Sequence, residues 1–159
     1  MNEQNRHAAA QLLTQNHIAV LATLSSEDSK PQASVVYYTA DVTGHIYFVT
    51  AKNSRKLANI VKNPQVAFVV LHETKAIELQ IEGTATEVVD EKRKNDIVVN
   101  IGLTANEHPR SPGWPPLLTL AMNSGVDCVE VSIVRFKYSD FSIHPGTIIE
   151  GVGKDLLLV

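Results

Sequence analysis

Thr50 to Pro64, reading Thr-Ala-Lys-Asn-Ser-Arg-Lys-Leu-Ala-Asn-Ile-Val-Lys-Asn-Pro, is the stretch whose residue types and spacing best suit chemistry. Asn53 or Ser54 can cap a helix there. Leu57, Ile60 and Val61 fall at i, i+3 and i+4 and give that helix an apolar face. Asn63-Pro64 stops it, because the residue before a proline is pushed out of the helical region. Arg55 and Lys56 then lie in the first turn, where the helix dipole slightly disfavours cations. Two cations at that end suggest an anion for them to hold. Open backbone N–H groups, the Ser54 hydroxyl and two positive charges together describe a phosphate cradle. A solvated helix start whose charges happen to lie early accounts for the same residues.

Other reactive residue types give less. The six histidines, at 7, 17, 45, 72, 108 and 144, form no pair at ligand spacing, which argues against a metal site. His17 and His72 flank strands and are the two expected nearest a cleft mouth, although structural or solvent-facing roles account for both more readily. Cys128 alternates with Val129 along a strand and reads as a buried, inert thiol. No serine–histidine–acid arrangement follows from the order of residues. No glycine-rich nucleotide loop is present. Catalytic residues are therefore not assignable from the sequence.

The elements that position the cradle come from the whole chain of 159 residues, which is read as one domain, 1–159. A formal net charge of −3 argues against a nucleic-acid protein, so any anion site is local. A single cysteine excludes an internal disulfide framework. With no visible signal peptide and no run of membrane-spanning length, the expected location is cytoplasmic, with no membrane partner.

Residues 3 to 15 read as an amphipathic helix, alanine-rich, with Leu12 and Leu13 near its end. His17 to Leu24 is a first strand, Gln32 to Thr39 a second, and Asp41-Val42-Thr43-Gly44 a hairpin loop into a third at His45 to Val49. After the central helix, Gln65 to Leu71 is a nearly continuous apolar strand. Ala76 to Val89 is longer, and Gly83 within it marks a bulge or a close backbone approach. Asp90 to Ile101 reads as a helix capped by Asp90 and ended by Gly102. Thr104 to Pro116 is a proline-rich loop holding Trp114, and Leu117 to Met122 a short helix. Val126 to Tyr138 closes the structure, with Val129, Val131, Ile133 and Phe136 on one side. The tail, 142–159, adds an edge strand through Ile148 and Ile149 or docks on a partner. At least six strands joined mainly by hairpins favour an antiparallel β-barrel with peripheral helices over a parallel sheet.

In that order of elements the chain resembles the pyridoxamine 5′-phosphate oxidase-like, FMN-binding split-barrel proteins. The resemblance is carried by Ala22-Thr23-Leu24, Lys30 to Tyr37, Ile46 to Thr50, Asn53 to Ile60, Asn63 to Ala67 and Gln80 to Ala85, and covers roughly residues 15 to 140. It implies an antiparallel, Greek-key-like homodimer with FMN in clefts between the subunits and a small-molecule substrate. Ser54, Arg55 and Lys56 would bind the FMN phosphate. Ser34, Val35 and Val36 would run beside the ring, and Val49 and Thr50 beside the ribityl chain. Gln80 would flank the ring, and Trp114 would cover the flavin of the neighbouring subunit or else serve as a packing anchor. Of Tyr37 and Tyr38, which face opposite ways, at most one would reach the flavin.

The chain also departs from the oxidase proper, which has a glutamine where Glu78 stands, an arginine where Ser34 stands, and a different C-terminus. The resemblance therefore implies flavin binding more strongly than pyridoxamine 5′-phosphate oxidation. An FMN-dependent oxidoreductase is the leading expectation. A carrier or sensor without turnover, or the same barrel holding F420 or haem, stands beside it.

Overall fold

Seven strands and three helices follow one another in the computed structural model, which describes residues 3–41, 43–107 and 125–156. They are α1 (Glu3–Gln15), β1 (Ile18–Leu24), β2 (Pro31–Ala40), β3 (His45–Ala51), α2 (Arg55–Lys62), β4 (Gln65–Leu71), β5 (Ile77–Glu87), α3 (Glu91–Glu107), β6 (Val126–Asp140) and β7 (Thr147–Val152), with a short 3₁₀ turn at Gly153–Leu156. The strands run antiparallel in the order β3-β2-β1-β4-β5-β6-β7, and β3 also pairs with β6, which closes six of them into a barrel. The run β4-β1-β2-β3 is a Greek key, three hairpin-linked strands with a fourth returned beside the first.

Alternation along each strand fills the barrel. Leu21, Tyr38, Phe48, Phe68, Val70, Leu79, Ile81, Val129 and Val131 are essentially inaccessible. One end is covered by α1, whose Ala9, Ala10, Leu12 and Leu13 are buried, and the Tyr38 hydroxyl donates to the Leu13 carbonyl at 2.7 Å. Leu156 joins the same core, so the tail both adds the edge strand β7 and packs inward.

On β6, Arg135 pairs with Glu82 and Ile133 with Gly83, which leaves Val134 without a partner on β5. This bulge reverses the side-chain parity: Val129 and Val131 point inward before it, Phe136 and Tyr138 after it. Gly83 allows the close approach, since a Cβ there would stand 2.5 Å from Val131 Cγ1 and 2.9 Å from the Ser132 carbonyl oxygen. Of the bulge or close approach expected at Gly83, the close approach is at Gly83 itself, and the bulge lies opposite it, on β6.

α3 forms a second layer outside the barrel, burying Ile97 and Ile101 on Tyr37, Tyr47, Val49, Val88 and Cys128. Asp90 caps it by accepting the Arg93 N–H at 2.7 Å. The helix does not end at Gly102 but continues to Glu107, because Gly102 does not adopt the left-handed conformation that terminates helices at glycine. Thr104 to Glu107, expected in a loop, are therefore helical; residues 108–116 of that loop, including Trp114, and the expected helix at Leu117 to Met122 lie outside the described residues. Cys128 is fully buried, its thiol donating to the Lys94 carbonyl at 3.6 Å and pushed up to about 11 by burial.

Candidate functional site

The β3–α2 junction is built around hydroxyls. Ser54, extended at φ −74° and ψ 146°, is the N-cap, and its Oγ accepts the Leu57 N–H at 3.3 Å. The same Oγ lies 2.8 Å from Oγ1 of Thr50, a residue only 2% exposed at the end of β3. Arg55 and Lys56 occupy the first turn of α2, which contains no acidic residue. Among the described residues neither forms an ion pair. Lys56 is half-buried, and that burial, followed by the charge of Arg55, pulls its ammonium below the usual lysine range.

The partial burial of Lys56 follows from how α2 is turned. Leu57 and Ile60 are buried as expected, but Val61 is 73% exposed, and Asn59 is buried in its place. At 100° per residue the covered arc runs from Leu57 through Ile60 and Lys56 to Asn59, with Val61 beyond its edge. Asn59 fixes this rotation: its Nδ2 donates to Thr23 Oγ1 at 3.0 Å and Gln32 Oε1 at 2.9 Å, and its Oδ1 accepts the Ser26 N–H at 2.8 Å. Arg55 lies four residues from Asn59, about 6 Å along the axis. The sequence offered one signal for this role, a polar residue between the two buried apolar positions.

Among the described residues, β2 is paired on one side only along most of its length. It pairs with β1 from Pro31 to Tyr37, but with β3 only from Tyr38 to Ala40. Tyr38 N–H donates to the His17 carbonyl at 2.9 Å, so even-numbered residues of β2 turn their main-chain groups toward β1. Ser34 and Val36 belong to that set, whereas Ala33 and Val35 turn theirs toward the open edge. Val36 and Val49 are buried side chains, in the barrel core and beneath α3 respectively. Val35 is 40% exposed on the outer face.

That outer face is apolar at one end and charged at the other. Register places Val35, Val20, Val69, Gln80, Lys137 and Glu150 in one row across β2, β1, β4, β5, β6 and β7. Val20, Val35 and Leu71 line a shallow apolar depression of about 300 Å3, and all three are exposed. Gln80 lies instead in a groove of about 520 Å3 with Glu82, Arg135, Lys137 and Glu150. Its amide is oriented by Glu78, whose Oε1 accepts the Nε2 hydrogen at 2.9 Å. Three strand spacings, about 14 Å, separate Gln80 from Val35, so one chain does not bring Gln80 to the open edge of β2.

His72 rims the apolar depression. Its Nδ1 accepts the N–H groups of Thr74 at 3.2 Å and Lys75 at 3.3 Å, which places the proton of the neutral ring on Nε2. No cluster of three or more metal-ligating side chains occurs among the described residues, nor a helix long and apolar enough to cross a membrane.

Comparison with known proteins sets these features in context. The sequence model of the pyridoxamine 5′-phosphate oxidase family matches residues 6–123. No curated protein matches the chain. Among solved structures, a Clostridium acetobutylicum protein of the pyridoxinephosphate oxidase family, related to general stress protein 26, superposes with a TM-score of 0.69 at 13% identity, covering 96% of each chain. An FAD-binding protein from Mesorhizobium loti gives 0.61 at 17% identity, covering 86% of this chain and 92% of that one. A heme-binding protein from Mycobacterium smegmatis gives 0.66 at 12% identity, covering 99% of this chain and 61% of that one. At these identities the structural likeness establishes the fold alone.

Proposed function

Because the chain belongs to the pyridoxamine 5′-phosphate oxidase family, we propose that it is a homodimeric, FMN-binding oxidoreductase acting on a small molecule in the cytoplasm. The observation that carries this reading is the pair Arg55 and Lys56 at the start of α2, one of them half-buried and neither balanced by a carboxylate among the described residues. The FMN phosphate would take that place. It would receive charge-assisted hydrogen bonds from both side chains and meet the N–H groups of the first turn.

The open edge of β2 suits the ring. Main-chain groups of Ala33 and Val35, rather than those of Ser34 and Val36, would meet its polar edge. Val49 and Thr50 would lead from the ring to the cradle, with Thr50 holding the Ser54 hydroxyl in place. Flavin, when bound, supplies the hydride chemistry. The residues orient it, and N–H donors on the β2 edge favour its reduced form. Gln80 would come from a second copy, whose approach would also cover Val20, Val35 and Leu71. Trp114, which lies outside the described residues, would on this reading cover the flavin of the neighbouring subunit.

The cradle suits any phosphate-bearing flavin, F420 included, and a carrier without turnover would need the same contacts. Haem fits less well at the apolar depression, because His72 presents a protonated Nε2 there. The deciding experiment is the visible spectrum of the purified protein, with mass analysis of the ligand released by heat and titration of the stripped protein with FMN. Released FMN, or tight rebinding of added FMN, supports the reading, and NAD(P)H-driven bleaching extends it to turnover. A colourless protein that refuses FMN overturns it.

A further inference from the structure

We propose that Lys137 sets the reduction potential of the bound flavin, acting from the copy that lends Gln80. The inference rests on the FMN reading above. Lys137 is the direct register partner of Gln80 on β6. Cross-strand neighbours of this kind have Cβ atoms about 4.5–5.5 Å apart, so a ring laid against Gln80 lies within the sweep of the lysine. Glu78 holds the Gln80 amide hydrogen, leaving the carbonyl oxygen to accept from a ring N–H. Lys137 is half-buried in the groove, and although Glu150 stands opposite it in register, the two form no ion pair.

Reduction delivers two electrons from an external donor and one proton to a neutral ring, leaving a net negative charge. An ammonium beside that charge stabilises the reduced form more than the oxidised one. Glu82 and Glu150 in the groove, and Glu78 on the Gln80 amide, act in the opposite sense, and Arg135 in the same sense from the neighbouring row. Removing the Lys137 charge therefore moves the potential in one direction whatever the rest of the field contributes.

The test is an anaerobic titration of the FMN-loaded protein against a reference dye. In Lys137→Met, the preference for reduced over oxidised FMN should fall about tenfold, a drop near 30 mV for a two-electron couple, while oxidised FMN still binds within twofold of wild type. Lys137→Arg should restore the potential, and Glu150→Gln should shift it upward by less. An unchanged potential in Lys137→Met, at unchanged affinity for oxidised FMN, overturns the proposal and leaves the flavin reading standing. Failure of the wild-type protein to bind FMN overturns both.

Discussion

The Asn59 amide donates to Gln32 Oε1 at 2.9 Å, joining the helix that carries Arg55 and Lys56 to the strand whose outer edge is open. The bond crosses from α2 to β2 two residues before Ser34. It makes the position of the cradle a property of the barrel wall rather than of a surface loop.

Asn59→Ala should therefore act on both stability and binding. It orphans the Ser26 N–H and removes partners from Thr23 and Gln32, at about 1–3 kcal/mol for each buried group left unsatisfied. Urea unfolding should show that loss, and FMN titration of the folded variant should show weaker binding. Wild-type values in both would mean that Asn59 holds nothing in place.

Replacing Arg55 and Lys56 together with alanine should weaken FMN by roughly a hundredfold or more, since hydrogen bonds to charged groups contribute about 1.5–3 kcal/mol each. Riboflavin, which lacks the phosphate, should bind the variant as it binds wild type. Equal losses for both ligands in calorimetry would point to a damaged fold instead of a missing phosphate contact.

Alkaline pH should separate binding from stability through Lys56. Its folded pKa lies below the ordinary value of 10.5 because burial, then Arg55, disfavours the charge. The unfolded chain thus binds more protons between the folded and unfolded pKa values, and linkage makes this lysine's contribution to stability rise with pH across that window. Phosphate needs the charged form, so FMN binding should weaken across the same window and take up protons. Calorimetry in buffers of different ionisation enthalpy would detect the uptake, and Lys56→Met should abolish it.

Gly83→Ala should destabilise the barrel, because its new methyl would meet Val131 Cγ1 at 2.5 Å and the Ser132 carbonyl oxygen at 2.9 Å. Overpacking of this kind costs about 1–3 kcal/mol. Chemical denaturation should report it without any change in ligand specificity. A neutral result would show that β6 can move aside.

Local signals in the sequence located most of the elements. α1 spans residues 3 to 15 and β4 spans Gln65 to Leu71 as their patterns indicate, and Ser54 is one of the two caps read from the chain. What the patterns lacked was rotation and pairing. Spacing of Leu57, Ile60 and Val61 defines a stripe on α2, but Asn59, through partners on two other strands, decides which flank of it is covered. The continuous run of β4 hid two rows, Val66, Phe68 and Val70 inward and Val69 and Leu71 outward. Likewise, no local pattern tells that Val35 and Gln80 share one row at three strands' distance, because that depends on register through β1 and β4. Gly102 misled because glycine ends a helix only where the backbone turns left-handed.

The bulge at Val134 divides β6 into two reading frames. Before it, odd-numbered residues face the barrel interior; after it, even-numbered ones do. The first frame spends its outward positions on α3 and on closure with β3, while the second displays Arg135 and Lys137. Deleting that single residue would turn Phe136 and Tyr138 to the water and both cations to the interior. The charge pattern of this face is thus encoded by an insertion as much as by the identity of its side chains.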